Sequence, residues 1–203
     1  MKSQNLAILL FLFTYLFTYQ NIAQAIEKEN IPLKKQTIYS LYLSPEQVFE
    51  LKETQGDQVL FIDVRSRPEI KYIGAPALMD ANIPIRYINT EFLWSEKSST
   101  YRTLVNDHFA ADVEKLLTKT GHTKSTPVIL ICQTGSRVPA AAKQLYQAGF
   151  EKVYSSVGGF EGSKAKSGQS KGKRVVNGWK NANMPWSYKL DKSTMYFNFD
   201  ASK

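Results

Sequence analysis

The chain has 203 residues, 43% of them hydrophobic and 12% aromatic, which is enough to bury a sizeable core and excludes a wholly disordered chain. Its length fits one domain with extensions. With 26 Lys and Arg against 18 Asp and Glu, the formal net charge is +8. No nucleic-acid motif is present, and part of the excess is local to residues 164–174, so small anions are favoured over nucleic acid or a membrane surface. Taken alone, the charge is better explained by solubility.

The first residues read as a targeting segment. Lys2 precedes an uncharged apolar run over residues 6–19, and Ala23-Gln24-Ala25 then places small residues at alternate positions. The run is shorter than the ~20 residues of a membrane span. Residues 1–25 are therefore predicted to be a signal peptide cleaved near Ala25, with export to a periplasm or out of the cell and no membrane attachment afterwards. An uncleaved anchor is the alternative. The absence of a Cys beside the cleavage site speaks against a lipoprotein.

Residues 26–39 are mixed and polar and predict a loose N-terminal extension, with the domain proper over residues 40–203. Ser44-Pro45-Glu46-Gln47 carries a capping box with Pro in the first turn, predicting a helix to about Glu53. Gly56-Asp57 predicts a turn. Residues 59–64 (VLFIDV) form a short β-branched apolar run of the kind that makes a buried parallel strand. Pro68, Pro76 and Pro84 predict irregular chain over residues 65–107. Residues 112–120 predict an amphipathic helix ending at Gly121. Residues 128–131 (VILI) predict a second buried strand, residues 139–148 a helix stopped by Gly149, and residues 153–157 a third strand before Gly158-Gly159. Strands alternating with helices imply βαβ units and a parallel sheet. Residues 163–174 (SKAKSGQSKGKR) predict an exposed, flexible loop. Trp179, Trp186, Tyr188 and Tyr196 predict that the end of the chain packs back on the domain; as ligand-stacking platforms they are less convincing than as core.

Cys132 is the single cysteine, so it cannot form an internal disulfide. By default it would be an inert buried thiol. Its neighbours argue otherwise. Cys132-Gln133-Thr134-Gly135-Ser136-Arg137 lies between a buried strand and a helix, beyond the carboxyl end of a strand, where open α/β sheets bind ligands. The free amides and dipole of the next helix favour an anion there, which lowers a thiol pKa and yields a nucleophilic thiolate. Gly135 lets the loop curl into an anion nest, and Arg137 adds a fixed positive charge for an anionic substrate. His108 and His122 flank the 112–120 helix away from these strand ends, and surface or capping roles are expected of them.

Together Ile62-Asp63-Val64-Arg65, Glu69, the Cys132-to-Arg137 loop, Ala140 to Ala142, Leu145, Gly149-Phe150, Val153 and Gly158-Gly159 resemble the rhodanese family over about residues 40–188. The resemblance implies a three-layer α/β domain, a central, mainly parallel sheet with helices on both faces. It also implies Cys132 as the catalytic residue and Gln133, Thr134, Gly135, Ser136 and Arg137 as the substrate-binding loop. Family chemistry would then move sulfane sulfur from a small anionic donor such as thiosulfate to cyanide or a thiol, a protein thiol among them, through a Cys132 persulfide. It would need neither metal nor organic cofactor, and no nucleic-acid partner. Asp63 and Arg65 are expected to pair with each other or with Glu69 as scaffold rather than to form an active-site rim.

Two departures stand out. Where the family commonly carries Gly-His-Ile-Pro-Gly-Ala, this chain reads Ile73-Gly74-Ala75-Pro76-Ala77 and then Asn82-Ile83-Pro84, without the His. After Gly158-Gly159 the family soon reaches a Trp and a Pro, whereas here Gly178-Trp179 and Met184-Pro185 follow only after residues 163–177, which read as a basic insertion. That insertion is either a solvated loop or an electropositive flap beside the pocket. Two other functions compete. Phosphatases and arsenate reductases of the same fold use five residues between Cys and Arg; four intervene here, a tighter loop suited to one sulfur atom. A persulfide carrier or protein-binding module needs the same loop as the enzyme.

Overall fold

The computed structural model describes residues 26–88, 91 and 93–197. The predicted signal peptide, residues 1–25, lies outside the described residues. The chain enters through two single-turn 3-10 helices, Lys28–Asn30 and Leu33–Lys35. This entry is docked, not loose as predicted. Ile31 is buried, Gln36 Nε2 donates to the Ile31 carbonyl at 3.0 Å, and the Thr37 amide donates to Tyr42 Oη at 2.9 Å. One apolar side chain and a few satisfied backbone groups suffice to fix so short a segment.

In chain order, β1 (Tyr42–Leu43) leads to α1 (Pro45–Gln55) and β2 (Leu60–Asp63). The α1 capping box forms as expected, Ser44 Oγ accepting the Gln47 amide and Gln47 Oε1 accepting the Ser44 amide. Residues 65–107 are not irregular throughout. They hold a helix, α2 (Arg67–Ile73), and six short strands: β3 (Ala75–Pro76), β4 (Ala81–Asn82), β5 (Arg86–Ile88), β6 (Trp94–Ser95), β7 (Thr100–Tyr101) and β8 (Thr103–Val105). Pro68, read as a breaker, sits in the first turn of α2, where its missing N–H costs nothing. Glu69 accepts from both the amide and the hydroxyl of Ser66.

The remaining elements are α3 (Phe109–Thr120), β9 (Val128–Ile131), α4 (Val138–Gln147), β10 (Val153–Ser156) and β11 (Trp186–Ser187). Helix α3 begins three residues earlier than predicted, because Phe109 joins Val113 and Leu117 on its buried face. Strands order as β1-β10-β9-β2-β4, and every pair in this sheet is parallel. The pairs β11–β3, β5–β8 and β6–β7 are separate antiparallel ribbons.

Period-two alternation decides which side chain faces which layer. Leu60, Ile62, Val128, Leu130, Cys132 and Val153 pack with α3 and α4 on one face. Val59, Phe61, Ile129 and Ile131 pack with Val48 of α1, Ile70 of α2, Phe160 and Trp179 on the other. The fold is therefore a three-layer α/β sandwich with helices on both faces of a parallel sheet. Among the described residues no helix is long and apolar enough to cross a membrane.

Trp179 is fully buried, its ring 5.2 Å from that of Phe61 and its Nε1–H donating to the Pro185 carbonyl at 2.8 Å. Trp186 is half-buried under Lys180 Nζ, 3.8 Å from the ring, and Tyr188 is exposed against its edge. The Trp179 and Lys180 amides donate to the Gly159 and Phe160 carbonyls, so the chain resumes its path directly across residues 163–177. That stretch is exposed but folded on itself, with bridges joining Lys164 to Arg174 and Ala165 to Lys171. Replacing Trp179 by Ala is expected to cost about 3–5 kcal/mol, as for other buried aromatics, measured by urea unfolding.

Candidate active site

The site is built where β9 ends between its two neighbours. Asp63 of β2 is in register with Ile131, and the Val64 amide donates to the Ile131 carbonyl. On the other side, the Phe160 amide donates to the Cys132 carbonyl at 2.7 Å and the Glu161 amide to the Gln133 carbonyl at 2.9 Å. The chain beyond β10 thus extends the sheet pairing past Cys132. It can do so because Gly159, at φ +67°, has no Cβ; one would stand 2.6 Å from the Thr134 nitrogen and closer still to the Cys132 carbonyl oxygen.

Strand alternation turns Cys132 toward the start of α4. Its Sγ accepts the Gly135 amide at 3.2 Å and the Arg137 amide at 3.5 Å. Gly135, at φ +86°, turns the loop so that its N–H points inward. Two amides converging on one sulfur stabilise negative charge on it, as a nest stabilises an oxyanion. The side chain is also fully covered: Cys132 has no exposed surface and packs in the α3–α4 core. The reactive thiol expected at the strand end is instead buried, with the Gly135 and Arg137 amides of its own loop against the sulfur.

The loop side chains divide. Gln133 Nε2 donates to Glu161 Oε2 at 2.7 Å, Thr134 Oγ1 donates to Ser136 Oγ at 3.2 Å, and Ser136 is exposed. Arg137 differs from expectation. Its two terminal nitrogens grip Glu69, Nη1 to Oε2 at 2.7 Å and Nη2 to Oε1 at 2.5 Å. The bidentate geometry matches guanidinium to carboxylate and neutralises the loop's fixed cation. Burial alone would lower the Arg137 pKa, but the hydrogen bonds and charge of Glu69, with smaller pulls from Cys132 and Asp63, hold it above its ordinary value. Burial alone would raise the Glu69 pKa, but Arg137 and then Ser66 hold it below the ordinary 4.5.

Glu69 is the site residue that loop-centred reasoning omits. Its signal in the sequence was the Ser66-to-Glu69 capping-box spacing. Asp63 and Arg65 are scaffold. Both are fully buried and joined bidentately, and Arg65 Nη2 also donates to the Gly74 carbonyl at 2.9 Å. His122 lies with its ring nitrogens against the Thr120 and Asp57 carbonyls, beside the amino ends of β2 and β9, opposite the Cys132 loop. His108 stands at the N-cap position of α3. Among the described residues no group of three or more His, Cys, Asp or Glu is gathered to hold a metal.

A family model for the rhodanese-like domain matches residues 44–166. The chain belongs to the rhodanese-like domain family. Its curated relatives are distant. It is 29% identical over 119 residues to a tRNA uridine(34) hydroxylase of Corynebacterium glutamicum, which covers 59% of this chain but only 31% of the hydroxylase. It is 50% identical over 40 residues to a thiosulfate sulfurtransferase of Tolumonas auensis, covering 20% of this chain and 38% of that enzyme. A crystal structure from M. tuberculosis aligns with 73% of this chain and 97% of its own at a TM-score of 0.52 and 22% identity, which shows the shared rhodanese-like fold.

Glu69→Gln should cost about 2 kcal/mol near neutral pH, since it leaves a half-buried guanidinium short of its partner. Because the folded Glu69 pKa is depressed, the pair's contribution is complete above about 4.5 and is lost as pH falls through the folded value. Urea unfolding of both proteins at pH 7 and at successively lower pH should show the full gap at the first and a gap that narrows as the pH falls below about 4.5.

Proposed function

We propose that the protein is a sulfurtransferase that carries sulfane sulfur on Cys132. The observation that carries this reading is the convergence of the Gly135 and Arg137 amides on the Cys132 sulfur. An inert core cysteine needs no such donors. A terminal persulfide is an anion, and amides fixed around it before reaction stabilise it without reorganisation. Family membership supports the same chemistry.

In the first half-reaction, the Cys132 thiolate attacks the outer sulfur of thiosulfate. A bond forms between the two sulfurs, and the sulfur–sulfur bond of the donor breaks with its electron pair leaving on sulfite. In the second, cyanide or a thiolate attacks the terminal persulfide sulfur. The Cys132–sulfur bond breaks and its electrons return to Cys132 as the thiolate, giving thiocyanate or a new persulfide. The four-residue interval between Cys132 and Arg137 supports a single sulfur atom as cargo over a tetrahedral oxyanion. A persulfide carrier is the second reading, favoured by the complete covering of the thiol, since a covered persulfide is shielded from adventitious thiols. Export through residues 1–25, with cleavage near Ala25, is part of the proposal and rests on the pattern of that segment; N-terminal sequencing of protein recovered from a periplasmic extract tests it.

Incubation with thiosulfate should give a protein about 32 Da heavier, reversed by cyanide with release of thiocyanate. Cys132→Ser should fold normally and do neither. Native Cys132 should react with iodoacetamide at neutral pH, more slowly than in the unfolded chain. A thiol that stays closed to that reagent while the protein is folded would sink the proposal. Multiple turnover identifies an enzyme, and one stoichiometric loading identifies a carrier.

A further inference from the structure

With Arg137 held by Glu69, the loop has no cation left to meet the charged end of a donor. The structure supplies one from outside the family-matched segment. The 3-10 turn Leu33–Lys35 packs beside the loop and brings Lys35 Cδ to 3.6 Å from where a Gly135 Cβ would stand. Lys35 is half-buried, and its Nζ reaches Ser163 Oγ at 3.5 Å, a contact at the limit of a hydrogen bond. Among the described residues no carboxylate lies within ion-pair distance of it. Lys35, Gly135, Ser163, Asn177, Ser155 and Tyr42 line a cleft of about 210 Å³ between the N-terminal turn, the loop and the root of the insertion.

We propose that Lys35 binds the anionic end of the sulfur donor in this cleft and so selects doubly charged sulfane donors such as thiosulfate. The proposal rests on the sulfur-transfer reading of Cys132. Physically, a half-buried ammonium with one weak partner keeps unsatisfied donors, and a sulfonate group offers three acceptor oxygens to them. Burial lowers the Lys35 pKa, while the Cys132 sulfur acts to raise it and Lys34 and Arg174 act to lower it. Lys35 thus lies within electrostatic reach of Cys132 and also belongs to a cluster of cations that an arriving dianion would relieve. Arg174 is tied to this place by its bond to the Gly162 carbonyl and its approach to Glu161, the same carboxylate that holds Gln133. The turn and the insertion, whose Lys35 and Arg174 both lie outside the family-matched segment, meet over the loop and give the donor site its charge.

The test compares thiosulfate with methanethiosulfonate, a singly charged donor that delivers the same outer sulfur, in purified wild-type protein, Lys35→Met and Lys35→Arg. Lys35→Met should raise KM for thiosulfate about tenfold while kcat stays within about twofold, with a rise of about threefold or less for methanethiosulfonate; Lys35→Arg should stay near wild type. Equal losses on both donors, an unchanged KM for thiosulfate, or failure of Arg to rescue would overturn the assignment while leaving sulfur transfer intact. A second readout needs no turnover. Sulfate, an unreactive dianion, should slow iodoacetamide labelling of Cys132 in wild type and Lys35→Arg, and Lys35→Met should need about tenfold more sulfate for equal protection. Sulfate that protects wild type and Lys35→Met equally, or protects neither, overturns the role of Lys35. A wild-type protein that sulfate protects but that transfers no sulfur refutes the transferase reading alone.

Discussion

The paired hydrogen bonds between Arg137 and Glu69 tie the Cys132 loop to the rest of the molecule. Glu69 sits in the first turn of α2 and closes that helix's capping box with Ser66, so the loop that follows β9 is anchored to the helix that follows β2. A six-residue loop has too little apolar surface to hold itself. This ion pair, the sheet-like pairing of residues 160–161 with residues 132–133, and the close approach of Gly159 hold it from several sides. What is held is a pair of amide hydrogens aimed at one sulfur.

That anchoring has an electrostatic consequence. A guanidinium neutralised by a carboxylate at hydrogen-bond distance presents little net charge to a ligand. The charge that faces the cleft comes instead from Lys35 on the N-terminal turn, with Arg174 of the basic insertion acting on it from nearby. The family-matched residues build the sulfur cradle, and the flanking residues, outside residues 44–166, decide which charges surround it. The docked N-terminal turn is therefore part of the site's electrostatics, though nothing in its own composition announced it.

Much of the framework was legible because its signals are local. The apolar runs 59–64 and 128–131, the Ser44 capping box and the glycine after each helix act within a few residues, and the corresponding elements lie close to where they were expected. Helix α2 was missed because Pro68 looks the same as a breaker and as a first-turn residue. The short strands between residues 75 and 105 were missed because two- and three-residue strands carry no period to detect. At the site, Cys132 and its loop stood out from spacing. The partner of Arg137 did not, since 68 residues separate it from Glu69 and no local pattern links a loop cation to one carboxylate among several.

By itself the sequence determined the parallel α/β architecture, the place of the lone cysteine at a strand end before a helix, and a scaffold role for Asp63 and Arg65. These follow from periodicity and near-neighbour chemistry, which act along the chain. Tertiary structure alone decided that Cys132 is covered, that Arg137 belongs to Glu69, and that Lys35 overlooks the loop. Burial and charge pairing depend on which distant segments the folded chain brings within a few ångströms, and that distance is not written in residue spacing.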